Sequence, residues 1–262
     1  GQLRRGSLIH RAIVLAERAC LAKSAGVISL THAAAAYLKS KYPVELKNQR
    51  LVVIPTCADL DRFIPSANKL DGPNVHGCIG TVLSGWFRTD LLSSWMNVAA
   101  VRDPSARFEI VTLDDALLVR NTLDPMNNLA ERLNISSQPS KDMPDVLCTH
   151  NLSVMFFFSG LSKLGSAPTR LAEVLGCGLP VVANEGVGDV AEIIRENNVG
   201  VIVDGESEED IHKAFDKLYN LLQDTDLSIR CRATAKAIFS LESGTEVYGG
   251  IYNEILKSND SS

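Results

Sequence analysis

Ser159-Gly-Leu-Ser-Lys-Leu-Gly-Ser-Ala-Pro-Thr-Arg-Leu-Ala-Glu-Val-Leu-Gly-Cys-Gly-Leu-Pro-Val-Val-Ala-Asn184 follows the apolar run Val154 to Phe158. That order reads as a buried central strand, a loop rich in Ser and Gly, a helix opened by Pro168, and a second buried strand over Leu179 to Ala183. Proline suits the first turn of a helix, where its missing N–H costs nothing. The backbone N–H groups around Ala167 to Arg170 then open toward the edge where strand ends converge.

Outward from this stretch the same alternation recurs. Strands are expected over His76 to Val82, Phe108 to Thr112, Leu152 to Phe157 and Val199 to Val203, with a short one near Ile135 and helical stretches between them. Alternating β and α predict an α/β fold, a Rossmann-like parallel sheet with helices on both faces. Right-handed crossovers place every strand C-terminus along one edge, where doubly wound sheets bind ligands. After Asp204 the pattern is helical, over Glu208 to Leu222, Asp226 to Phe239 and Gly244 to Lys257. Before the sheet, Ser7 to Ala25 has helical apolar spacing, Val27 to Leu30 and Leu51 to Ile54 are β-prone, and Thr31 caps a helix over His32 to Lys41. Two strands do not make a stable sheet alone. This opening therefore reads as the end of a domain that starts upstream of Gly1. Pro65 to Asn74, rich in Pro, Asn, Asp and Gly, is the expected linker.

Composition narrows the function classes. The 262 residues, 45% apolar and 22% charged, are ordinary for one large or two small globular domains. A net charge of −5 without a block of Lys or Arg disfavours a surface that tracks nucleic acid. The longer apolar runs, Val154 to Phe158 among them, are far short of the roughly 20 residues that cross a bilayer. Six cysteines and five histidines stand at no metal or redox spacing, so reduced thiols and no zinc site are expected. Asn134-Ile-Ser136 and Asn151-Leu-Ser153 match the glycosylation pattern, which means nothing without a secretory signal. Glu17 breaks the apolar patch after Arg4 and Arg5 too early for one.

The opening of the Pro168 helix has the chemistry of an anion seat. Lys163 and Arg170 bracket it with positive charge, and Ser166 and Thr169 add hydroxyl donors, a set suited to a diphosphate. Glu173, one turn on, can accept from two adjacent hydroxyls of a ribose. The plainer alternative is a helix start with Glu173 paired to Arg170 on its surface.

With Glu185-Gly-Val-Gly-Asp-Val-Ala-Glu192 and Val199-Gly-Val-Ile-Val203, this stretch resembles the C-terminal half of the family 4 retaining glycosyltransferases of the GT-B fold. Val53-Ile-Pro-Thr-Cys-Ala-Asp-Leu-Asp-Arg-Phe63 resembles that family's interdomain segment. Phe239-Ser-Leu-Glu242, Tyr248 and Tyr252 are similar to its closing helix. The resemblance implies a remnant of an acceptor domain and hinge over 1–64, a donor-binding domain over 65–240, and a helix over 241–262 that crosses back. About 150 residues of a first domain would lie upstream. It further implies transfer of a sugar, with retention, from a nucleotide-sugar donor to a glycan, lipid-linked or small-molecule acceptor. No cofactor and no obligatory metal are implied, and the location is cytoplasmic, with peripheral membrane contact through the upstream part. In that reading Lys163 and Arg170 stabilise the departing diphosphate and Glu173 holds the ribose. Gly85, Arg88, Ser166, Thr169, Gly186 and Gly188 line the donor.

The sequence also departs from the family. Of two Glu residues separated by seven others, Glu173 matches the second, but Gly165 stands at the first. The loop Gly80-Thr-Val-Leu-Ser-Gly-Trp-Phe-Arg-Thr-Asp90 lacks the usual cations, for which Arg88 would substitute. These losses favour a first rival, a non-catalytic nucleotide-sugar-binding or scaffold subunit. A second rival is an NAD-binding protein using Gly186-x-Gly188-x-x-Ala191, and a third is a sugar-nucleotide epimerase of the same fold. Asp59-Leu-Asp61 matches a metal signature of the other large glycosyltransferase fold, yet lies in the segment that resembles a hinge.

Overall fold

The structure, a computed structural model, describes residues 4, 6–66, 72 and 74–260. Most of the linker expected over 65–74 lies outside the described residues, as do Arg5 and the chain start at Gly1. The first unit contains α1 (Leu8–Lys23), β1 (Val27–Ser29), α2 (His32–Lys41) and β2 (Leu51–Val53). Ser7 and Thr31 cap the two helices by accepting from the N–H groups of His10 and Ala34. β1 and β2 pair in parallel as a two-stranded sheet.

The second unit runs β3 (Val75–Ile79), α3 (Thr89–Arg102), β4 (Arg107–Val111), α4 (Ala116–Leu123), β5 (Leu133–Ser136), α5 (Met143–Leu147), β6 (Leu152–Met155), α6 (Thr169–Gly176), β7 (Val181–Asn184), α7 (Val190–Asn197) and β8 (Gly200–Val203). It closes with α8 (Glu208–Leu221) and α9 (Leu227–Phe239), and α10 (Leu241–Asp260) follows. Its six strands are ordered β5-β4-β3-β6-β7-β8, and every pair is parallel. The chain winds outward from β3 in one direction and from β6 in the other. The topological switch point, where such sheets open a crevice, therefore lies between β3 and β6.

Strand ends differ from the expected ones for local reasons. β3 stops at Ile79 because Gly80, at φ +129, turns the chain. The N–H groups of Val82 and Leu83 then donate to Asp114 Oδ2 at 2.8 and 3.0 Å. β7 starts only after Pro180, which has no N–H for the ladder. β6 ends at Met155 because the next two residues leave the sheet to meet the loop after β3.

Trp95, Phe108 and Phe156 are fully buried in the core around this sheet. Trp95 Nε1–H donates to His76 Nδ1 at 3.1 Å, and burial lowers His76 to a pKa of about 4, so the ring is neutral. Beyond the sheet, α10 returns to the first unit, where Glu254 pairs with Arg50. Gly244 lies so close to Cys57 that a Cβ there would sit 2.4 Å from Sγ. No helix among the described residues is long and apolar enough to cross a membrane.

Candidate functional site

The switch-point crevice is floored by two loops zipped together. The N–H of Arg88 donates to Phe156 O and that of Phe158 to Trp86 O, both at 3.0 Å, around an antiparallel Phe87–Phe157 bridge. Above this floor lies Lys163, its Nζ 4.9 Å from the Trp86 ring centroid and 5.2 Å from that of Phe157. The electron-rich ring faces attract the ammonium. Among the described residues no carboxylate stands within ion-pair distance of Lys163, whereas Arg88 pairs with Asp90 and Glu206, and Arg170 with Glu173.

Five residues past Lys163, Pro168 is the N-cap of α6, one position earlier in the helix than expected. Proline offers no side-chain acceptor, so the first N–H groups of α6 have no capping side chain. The loop between is pinned, with Lys163 O accepting from the N–H groups of Ser166 at 3.1 Å and Gly188 at 2.8 Å. Thr169 is exposed at the helix start.

The Arg170–Glu173 pair anticipated as the plainer alternative is present, but Glu173 is only 14% exposed. Burial pushes its carboxyl above the usual carboxylate range, against the pull of Arg170 and Arg62. Arg62 belongs to the segment between the units and donates to Ser140 O. On its other side Arg170 lines a cavity of about 190 Å³ at the ends of β3 to β5, with Ile79, Gly80, Thr81, Thr112 and Gln138. Lys163, Ser166, Thr169, Arg170 and Glu173 are thus gathered along this edge of the sheet.

The glycines divide. Gly85 faces open space. Gly186 and Gly188 have φ of +84 and +46, and a Cβ at either would strike the protein itself: Ser159 Cβ at 2.6 Å, and Ser166 O at 2.3 Å. The close approach these two allow is to the neighbouring loop, so packing within the protein accounts for both glycines. The dinucleotide reading fails for the same reason, and also because Asp189 places a carboxylate at the start of α7. Asp59 Oδ1 accepts from the N–H groups of Asp61 and Arg62 at 3.1 and 3.2 Å and closes the turn.

Contacts that the sequence did not foresee tie the site to the first unit. Asp189 accepts from the N–H groups of His32 and Ala33 at 2.6 and 2.9 Å, which caps α2 from across the cleft. Thr31 Oγ1 donates to Leu164 O, and Thr56 Oγ1 to Ala167 O at 2.7 Å. Each partner lies more than a hundred residues away, so local patterning carries no signal for them.

A two-unit, parallel-stranded Rossmann architecture of this kind, with a helix returning from the second unit to the first, is the GT-B fold. Solved structures share it. A sucrose-phosphate synthase from Thermosynechococcus elongatus superposes with a TM-score of 0.69 at 19% identity, over 95% of this chain and 62% of its own. For a glycosyltransferase from Rickettsia africae the TM-score is 0.72 at 15% identity, over 94% and 67%. For Anabaena HepE, solved with UDP and glucose, it is 0.64 at 16% identity, over 96% and 67%. The chain therefore spans about two thirds of the length of these proteins. No curated protein matches its sequence. Residues 126–237 match the family model of the glycosyl transferases group 1. That match corrects the family 4 assignment, which rested on a motif whose first Glu is Gly165 here and whose loop cations are missing.

Proposed function

We propose that this chain contains the donor-binding part of a glycosyltransferase that takes a sugar from a nucleotide-sugar. The observation that carries the reading is Lys163. An ammonium without a carboxylate partner among the described residues sits over the switch-point crevice, close in sequence to a helix start that has no capping side chain. Lone positive charge and open N–H groups at one sheet edge suit a diphosphate. The neighbouring cavity, lined by Arg170, suits the nucleoside, with Glu173 accepting from its ribose.

In this mechanism the diphosphate draws the Lys163 ammonium off the two rings. Lys163 and the N–H groups of α6 then stabilise the negative charge that grows on the leaving group, the effect that commonly dominates such catalysis. The nucleophile comes from the acceptor, a glycan, lipid-linked or small molecule. Retention at the anomeric carbon belongs to the proposal, and the anomeric coupling constant of the product decides it. A cytoplasmic location with peripheral membrane contact completes it.

A specific observation favours one alternative. Arg88 and Arg170 are both neutralised by carboxylates, which leaves little free charge for turnover and supports donor binding by a non-catalytic subunit. Thermal-shift titration with UDP, GDP, ADP and their sugar conjugates tests the shared step. One diphosphate is expected to stabilise the chain, and Lys163→Ala to weaken that binding about tenfold, with Glu173→Gln similar. No shift with any nucleotide, or a shift indifferent to Lys163, would sink the reading. Product formation from the conjugate that binds separates transferase from binding subunit.

A further inference from the structure

The two loops that floor the crevice hold large side chains that the core leaves uncovered. Trp86 is 56% exposed, Phe158 46% and Leu161 54%. The first two are held in place, because the hydrogen bond from Phe158 N–H to Trp86 O and the Phe87–Phe157 bridge fasten both loops. Residues flanking a bridged antiparallel pair stand opposite each other, so Trp86 and Phe158 are neighbours across the ribbon.

Each ring carries a cation. Lys163 rests over Trp86, and the Arg88 guanidinium carbon lies 5.2 Å from the Phe158 centroid. The two cations are held differently. Asp90 and Glu206 lock Arg88 in place, and their side chains remain 60% and 73% exposed. Among the described residues Lys163 is held by the Trp86 and Phe157 rings, with no carboxylate in ion-pair reach. A ligand anion that draws Lys163 away uncovers the Trp86 face beside the anion.

A flat, electron-rich face next to an anion seat, with the exposed Asp90 and Glu206 carboxylates on the neighbouring Arg88, matches one ligand chemistry. The C–H bonds on one side of a pyranose carry partial positive charge and replace the cation over the ring. Its hydroxyls find acceptors in those carboxylates. Resting on the donor reading above, we propose that Trp86, braced by Phe158 across the ribbon, forms a stacking platform for a pyranose ring beside the diphosphate.

The ring can come from the donor's own sugar or from a saccharide acceptor, and one experiment separates the two. The chain has two tryptophans, and Trp95 is fully buried, so acrylamide quenching of fluorescence reports Trp86. Quenching is measured with UDP, UDP-glucose, GDP, GDP-mannose and maltose, beside thermal shifts for the same ligands. A sugar conjugate that lowers quenching about twofold beyond its matching diphosphate supports the platform and assigns it to the donor. Protection by maltose supports it and assigns it to the acceptor.

Phe158→Ala, which keeps the reporter, is expected to cost about fivefold in affinity for the protecting ligand and less than twofold for the diphosphate, with Phe158→Tyr restoring the loss. Diphosphate binding without protection by any sugar overturns the platform and leaves the donor reading intact. Maltose protection without any nucleotide shift overturns the donor reading and keeps the platform. Neither shift nor protection overturns both.

Discussion

Helix α1 of the first unit is sixteen residues long and buries none of them, while α3 of the second, at fourteen, buries seven. Leu8, Ile9, Ile13 and Leu15 of α1 face solvent, whereas Leu91, Leu92, Trp95 and Met96 of α3 are covered. Both helices carry apolar residues at helical spacing, so amphipathic patterning alone does not say how much a helix contributes. What differs is the surface on offer. α3 has a six-stranded sheet against which to pack, and α1 has two strands of three residues each. Among the described residues the main buried cluster lies in the second unit and the segment leading into it.

The sharpest break of that contrast is a truncation in each helix. Trp95→Ala is expected to cost about 3–5 kcal/mol by urea unfolding, since it opens a cavity in a filled core and leaves His76 Nδ1 without its donor. Leu15→Ala should stay within about 0.5 kcal/mol. Similar costs for the two would refute the comparison.

Acid should act on the second unit alone, with an effect on the order of 3 kcal/mol from the His76 shift. The folded-state pKa, about 4, lies below the ordinary 6.5. The unfolded chain therefore binds a proton that the native ring refuses. This contribution is fully present above pH 6.5 and is lost as pH falls from there toward 4. Urea midpoints across that window, compared with those of His76→Gln, measure it; equal slopes would remove the assignment.

A smaller loss than either of these is expected at the cleft. Asp189→Ala should cost about 1 kcal/mol, as the loss of an N-cap does. Amide exchange is expected to accelerate at His32 and Ala33 and to stay unchanged in β3 and β6. Acceleration spread through the six-stranded sheet would show that the tie is not local.

The parallel sheet was legible because β-prone apolar runs alternate with helical spacing, and Val154 to Phe158 is too apolar for a strand with a wet face. Strand ends were less so. Gly80 and Pro180 mark two of them locally, but the departure of Phe156 and Phe157 depends on a loop some seventy residues earlier. At the site, the Arg170–Glu173 pair is a spacing of three on one helix and is readable. The pairing of Arg88 with Glu206 and of Asp189 with α2 arises from tertiary geometry that adjacent residues do not encode. Gly186 and Gly188 show the converse, a legible motif whose cause is packing against Ser159 and Ser166.

The return of α10 has a mechanical meaning. The chain passes between the units on its way out near Ala58 and on its way back at Ser240, and these passages run side by side, with Ala58 N–H bonded to Phe239 O at 2.9 Å. Two adjacent strands joined in this way resist twisting about their own length far better than one does, yet still flex together. The paired passages thus fix how one unit is turned against the other, in the orientation where Asp189 meets the N–H groups of His32 and Ala33.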